Sequence, residues 1–312
     1  MKRALYLTVL SCLLAVTPLG CAQEARQADP RQWKIVFDSP RDGNREIYVM
    51  DSDGQQQRLT LTPGKGKFSW LPAWSPDRKK IAFASNRDGN TEIYLMDADG
   101  SHVQRLTNTS GKDKSSWNSA FSPDGKKIAF DSDRDGKWEI YVVDRDGSNL
   151  RQLTHTPGES RGSAQPDWSP DGKKIAFVVA EDKDWKGVDI YVVDADGANL
   201  HRLTGPGRGN WHPRWSRDGE KIIFSSNRES ERRSEQPQIC VMDADGSNVR
   251  QLTNDDRPAL RPYWSPDGSK IVFMSTSGGD SKDWKNYGLY VMDVNGSNVR
   301  SLSVNNAGHP AW

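Results

Sequence analysis

The sequence predicts an all-β fold: a six-bladed β-propeller with four antiparallel strands per blade. Three observations carry this. A run of the form Lys-Ile-x-Phe or a close variant begins at Lys34, Lys80, Lys127, Lys174, Lys221 and Lys270, with spacings of 46, 47, 47, 47 and 49 residues, the period of a propeller blade. Each repeat holds four short apolar segments separated by turn residues, and none has a useful amphipathic helical period. The repeats are also out of phase at the two ends of the chain, as a ring that closes on itself requires.

Taken in order, residues 1–20 read as a secretory signal peptide. Lys2 and Arg3 form a basic start, and Ala4 to Val16 is an apolar stretch too short to span a bilayer comfortably. The Leu-Gly-Cys ending at Cys21 resembles a bacterial lipobox, so Cys21 is the expected lipid anchor, with ordinary cleavage near Ala22 as the alternative. Residues 21–32 are polar and aperiodic and read as a flexible tether. The propeller is expected over 33–312. Segments such as KIAFAS and EIYVMD have the β-branched and aromatic content of strands. Ser-Pro-Asp-Gly and Asp-x-Asp-Gly between them are tight-turn chemistry.

An aromatic residue, usually followed by Ser-Pro-Asp, marks one strand of each blade at Trp74, Phe121, Trp168, Trp215 and Trp264. These aromatics are expected to fill the wedges between blades. The first repeat lacks that strand and starts at its second, Lys34 to Ser39. The chain ends with Gly308 to Trp312, which has the missing pattern. The C-terminal strand is therefore expected to join the first blade and close the ring.

Composition narrows the function. With 43 Lys+Arg against 42 Asp+Glu the net charge is +1, which argues against nucleic-acid binding. Loss of residues 1–20 would leave 41 against 42. Twelve Trp and eight Tyr argue against disorder. No apolar run after the first twenty residues approaches a membrane span, so membrane attachment is expected only through the lipid. Three cysteines are too few for a disulfide framework; Cys240 replaces a strand Tyr of sister repeats and reads as a buried thiol.

The blade motifs W-S-P-D-G-K-K-I-A-F and E-I-Y-V-M-D-x-D-G resemble the propeller of the TolB family over nearly the whole mature chain. The family's namesake carries an α/β domain before its propeller, where this sequence has only residues 22–32. The resemblance implies an envelope-facing interaction protein in the periplasm that binds partner proteins. With Cys21 lipidated, Ala22 at the next position leans toward tethering at the outer membrane. A monomer without cofactor is expected.

Residues repeated in every blade are fold residues, so function is sought where blades differ. Three positions before the marker aromatics stand Leu71, Asn118, Gln165, His212, Arg261 and His309; one position earlier stand Trp70, Trp117, Ala164, Trp211, Leu260 and Gly308. Both sets enter the innermost strand and are expected to ring one mouth of the central channel. His212, Arg261 and His309 lie on consecutive blades and would form a basic arc for a partner peptide's carboxylates or another acidic ligand. Trp70, Trp117 and Trp211 would rim the same mouth, for stacking on a glycan or packing on a protein. The alternative function is a carbohydrate-binding protein, or a metal-dependent sugar lyase or hydrolase, using this mouth. No G-x-S-x-G, H-E-x-x-H or paired-Cys motif supports an enzyme. No catalytic residue and no metal site are assigned.

Asp131, Asp133, Asp135 and Gly136 reproduce half of a calcium loop, but Val142 stands where the bidentate carboxylate belongs. A hairpin turn is the preferred reading. Lys183-Asp184-Trp185-Lys186 and Lys282-Asp283-Trp284-Lys285 lie in longer insertions, and Trp138 in the equivalent shorter turn.

Overall fold

Six four-stranded antiparallel sheets are arranged as blades in a computed structural model that describes residues 34–156, 160–181, 187–205, 209–227, 236–276 and 283–312. The expected signal peptide, Cys21 and the expected tether lie outside the described residues, as do Lys183-Asp184-Trp185-Lys186 and Lys282. Among the described residues no helix is long and apolar enough to cross a membrane.

The innermost strands are Gly308–Ala311 in blade 1, Ser69–Trp74 in blade 2, Ser116–Phe121 in blade 3, Gly162–Trp168 in blade 4, Asn210–Trp215 in blade 5 and Ala259–Trp264 in blade 6. Each pairs with the Ile-x-Phe strand, which is hydrogen-bonded in turn to the Tyr-bearing strand and then to a short outer one. In blade 2 these are Lys80–Ser85, Glu92–Asp97 and Gln104–Arg105. The outer strands of blades 2 to 5 are only two residues long, which leaves little exposed edge for unwanted pairing.

Ring closure follows the expected route. The C-terminal strand pairs antiparallel with Ile35–Ser39 through Val36–Ala311 and Asp38–Gly308. All five residues of Ile35–Ser39 are buried, because this strand has sheet neighbours on both sides and a blade against each face.

The core is divided by interface. Among the described residues six hydrophobic clusters form, and each draws its buried residues from two adjacent blades. Trp74, for example, packs with Val36 and Ile47 of blade 1 and with Ile81 and Phe83 of its own blade. Within blades the Phe and Tyr of neighbouring strands stack, as Phe83 does on Tyr94 with ring centroids 5.8 Å apart. In blade 5 Cys240 takes the Tyr position opposite Phe224 and is buried.

A polar network ties the blades as well. The buried carboxylate of Glu92 accepts hydrogen bonds from Thr107 Oγ1 at 2.5 Å, Thr109 N at 2.6 Å and Thr109 Oγ1 at 3.0 Å, and from Arg105 at 2.9 Å. Thr109 Oγ1 also meets Ser116 of blade 3. Glu46 and Glu139 repeat the threonine part of the scheme. A buried carboxylate is tolerated because donors surround it.

The half calcium loop is a hairpin. Asp133 closes the turn through its carbonyl to Gly136 N, and Asp135 accepts the Tyr141 hydroxyl. Asp131 belongs to the strand before it and is buried. Among the described residues no group of three His, Cys, Asp or Glu side chains is placed to hold a metal ion.

Candidate functional site at the channel

The six positions singled out by blade differences share a backbone state that no composition rule announces. Leu71, Asn118, Gln165, His212, Arg261 and His309 all have positive φ, between 43° and 58°. None is glycine, and such a conformation costs about 1–2 kcal/mol for an L-residue. Each sits at a register shift between the innermost strand and its partner. The bulge re-aims the side chain, and in all but blade 3 a proline follows.

The neighbouring blade's Ile-x-Phe strand holds four of these bulges. Leu71 N donates to Asp38 Oδ1 at 3.3 Å, Gln165 N to Asp131 Oδ1 at 2.9 Å, Arg261 N to Ser225 Oγ at 3.1 Å and His309 N to Met274 Sδ at 3.1 Å. Asp38, Asp131, Ser225 and Met274 occupy one equivalent position of the Ile-x-Phe strand; blades 2 and 4 have Ala84 and Val178 there. For blade 5 the Gln165 amide oxygen substitutes, accepting from His212 N at 2.8 Å. Asp38 and Asp131 were not among the expected site residues. Their signal is a carboxylate at a strand position where three sister repeats are apolar.

Burial then decides the charges. Asp38 is fully buried, and burial alone would raise its carboxyl. His309 beside it, and Arg45 at 2.6 Å, outweigh that and hold it below the usual range. Burial, reinforced by Arg261, pushes His309 down to about 4 despite Asp38. Asp38 is thus the ionised acceptor of the 2.6 Å bond to Nδ1 of a neutral imidazole. His212 is driven well below the ordinary histidine value by burial, then by Arg261, Arg214 and His309. The expected basic arc therefore carries its charge on Arg261 alone. Burial lowers that guanidinium to about 9, which leaves it cationic at neutral pH. Its side chain makes no hydrogen bond to any described residue. Burial raises Asp131 to about 7 against the pull of Gln165 N, Asn118 and Arg261.

The channel itself is narrow. Leu71, Asn118, Arg261 and His309 line a cavity of about 30 Å³ together with Asp167, Arg214 and Tyr263, room for one or two waters. The last three stand immediately before the marker aromatics, and sequence reasoning missed them. Arg214 lies 3.7 Å from Asp167 and over the Tyr263 ring. Beyond them the marker aromatics Trp74, Phe121, Trp168, Trp215, Trp264 and Trp312 line the opposite opening, of about 480 Å³.

The tryptophans of the near mouth fall into two groups. Trp70 packs on Trp117 with centroids 4.6 Å apart and edge-on to His309 at 5.6 Å. A cleft of about 280 Å³ opens between Trp117, Trp138 and Trp211, floored by Asn118, Asp131, Ala164 and Gln165, with Arg161 at its side. Trp138 comes from the hairpin turn of blade 3 and was not among the expected mouth residues.

The family model of the TolB β-propeller domain matches residues 65–184 and 158–312. Among solved structures, TolB from Acinetobacter baumannii is 26% identical over 89% of this chain, with a TM-score of 0.69; the match spans 66% of that protein. A putative TolB from Agrobacterium tumefaciens is 26% identical, with 89% of this chain and 91% of that one covered and a TM-score of 0.65. The oligogalacturonate lyase of Vibrio parahaemolyticus, 18% identical over 88% of this chain and 72% of its own at a TM-score of 0.55, shares the fold. A search of curated proteins returned no match.

Proposed function

The chain belongs to the TolB β-propeller family, and on that premise we propose that it is a non-catalytic binding module of the bacterial cell envelope whose channel mouth engages a carboxylate-bearing segment of a partner protein. Arg261 carries this reading. It is a buried cation on a bulge, turned toward the channel, with no side-chain hydrogen bond to any described residue. A carboxylate is the planar acceptor that a guanidinium meets with two parallel bonds. Neutral His212 and His309 add hydrogen-bonding capacity without competing for the charge.

The metal-dependent sugar lyase alternative has no donor set among the described residues. Residues 1–20 direct export, and Cys21 anchors the chain by lipid in the periplasm, at the outer membrane. Replacing Cys21 by Ser is expected to move the protein from the membrane to the soluble envelope fraction.

The test of the binding role is affinity capture from solubilised envelope with the mature propeller as bait. Arg261→Ala, and the triple variant that adds His212→Ala and His309→Ala, serve as controls. A protein retained by the parent and lost from the folded Arg261→Ala variant supports the reading. Identical retention by both baits refutes it.

A further inference from the structure

We propose that the cleft between Trp117, Trp138 and Trp211 is a glycan site that takes a single pyranose ring. This goes beyond the channel reading and does not depend on it.

The walls are aromatic. Three indoles from two blades converge on one cleft, and two glycines let them do so. Trp138 approaches blade 4 so closely that its carbonyl occupies the place where a Cβ of Gly162 would stand, and it accepts the Ser163 N–H at 2.8 Å. The Trp211 ring covers Gly209, where any Cβ would overlap it. Trp117 is braced from behind by Trp70 and by Phe68, 6.1 Å away. Indole faces of this kind match the apolar C–H face of a sugar ring.

The floor is polar and pre-set. Gln165 uses its amide oxygen on His212 N, which leaves its NH2 group as a donor. Asn118 turns its NH2 toward Asp131 Oδ2 at 3.4 Å, which leaves its amide oxygen as an acceptor. Neither remaining group is engaged by a described residue. The buried Asp131 carboxylate lies between them. A donor, an acceptor and a carboxylate on one floor suit vicinal hydroxyls, each of which both gives and accepts a hydrogen bond. A purely apolar side chain would leave these groups unpaired at a cost. The volume, about 280 Å³, falls just short of the roughly 300–1,000 Å³ of drug-sized sites, which suits one ring rather than an extended chain.

The test is saturation-transfer NMR and tryptophan fluorescence on the purified protein. The probes are the methyl glycosides of glucose, galactose and N-acetylglucosamine. At least one is expected to bind saturably, with Kd in about the millimolar range usual for a single ring in a shallow site. Trp138→Ala, a change in a partly exposed turn, is expected to weaken binding at least tenfold. Trp138→Phe is expected to restore much of it. No saturation transfer to any probe overturns the proposal, and so does equal binding by Trp138→Ala. If Trp138→Ala abolishes capture of a partner protein while no glycoside binds, the cleft is a protein contact and the glycan assignment falls.

Discussion

Deleting residues 308–312 tests how the ring is held shut. Trp312 is 6% exposed and packs between Ile35, Phe37 and Tyr48 of blade 1 and Val272 and Leu289 of blade 6. Truncating so buried a Trp costs about 3–5 kcal/mol. The deletion also strips one neighbour from the buried strand Ile35–Ser39, and removes His309 from the fully buried Asp38. Taking one hydrogen-bond donor from a buried acceptor, which keeps Arg45, costs about 1–3 kcal/mol more. Together these losses rival the roughly 5–15 kcal/mol that hold an entire domain, so the truncated chain is expected to lose its cooperative melt. The milder Trp312→Ala variant keeps the backbone of the strand. It is expected to lower Tm by about 10 °C at a few degrees per kcal/mol, and Trp312→Phe by less. The assay is calorimetry at one pH and ionic strength, with gel filtration to detect pairing through the opened edge. A truncated protein that melts cooperatively at the parental temperature would refute the closure argument.

Two further outcomes follow from buried carboxylates. Glu92→Ala strands the donors of Thr107, Thr109 and Arg105 and is expected to cost about 3–5 kcal/mol, with Glu92→Gln recovering part; urea midpoints decide, and a shift within error rejects the network. Burial pushes the Asp131 carboxyl up to about 7, from 3.8 for a free carboxyl. The native state therefore binds the extra proton between those values, and stability falls as pH rises through that window. Asp131→Asn, which keeps an acceptor for Gln165 N, is expected to be more stable than the parent at pH 8, by a few kcal/mol at most, and to match it near pH 3.5. Parallel Tm curves for the two proteins across that range would contradict this.

Much of the architecture was legible because a propeller is written in local code. The Ile-x-Phe and Tyr strands, the Ser-Pro-Asp-Gly turns and the phase offset between Lys34 and Trp312 each depend on a few adjacent residues. Repetition makes the pattern visible without any long-range contact. The same local logic identified the six variable positions from Leu71 to His309, since equivalence between repeats survives whatever their side chains do.

What those side chains do was settled by the ring. Their left-handed backbone arises from the bulge in the innermost strand, which depends on pairing with a strand in the same blade and, in four blades, on an acceptor from the neighbouring one. Asp38 and Asp131 become site residues only because curvature brings the Ile-x-Phe strand of one blade beneath the bulge of its neighbour. Histidines that look basic in sequence are neutral once burial removes water and places Arg261 beside them. Trp138 and Trp211 belong to different blades, and nothing in their spacing brings them together. Strand identity and order reside in local sequence, whereas charge state and the convergence of side chains depend on burial and distance, which exist only when the ring is closed.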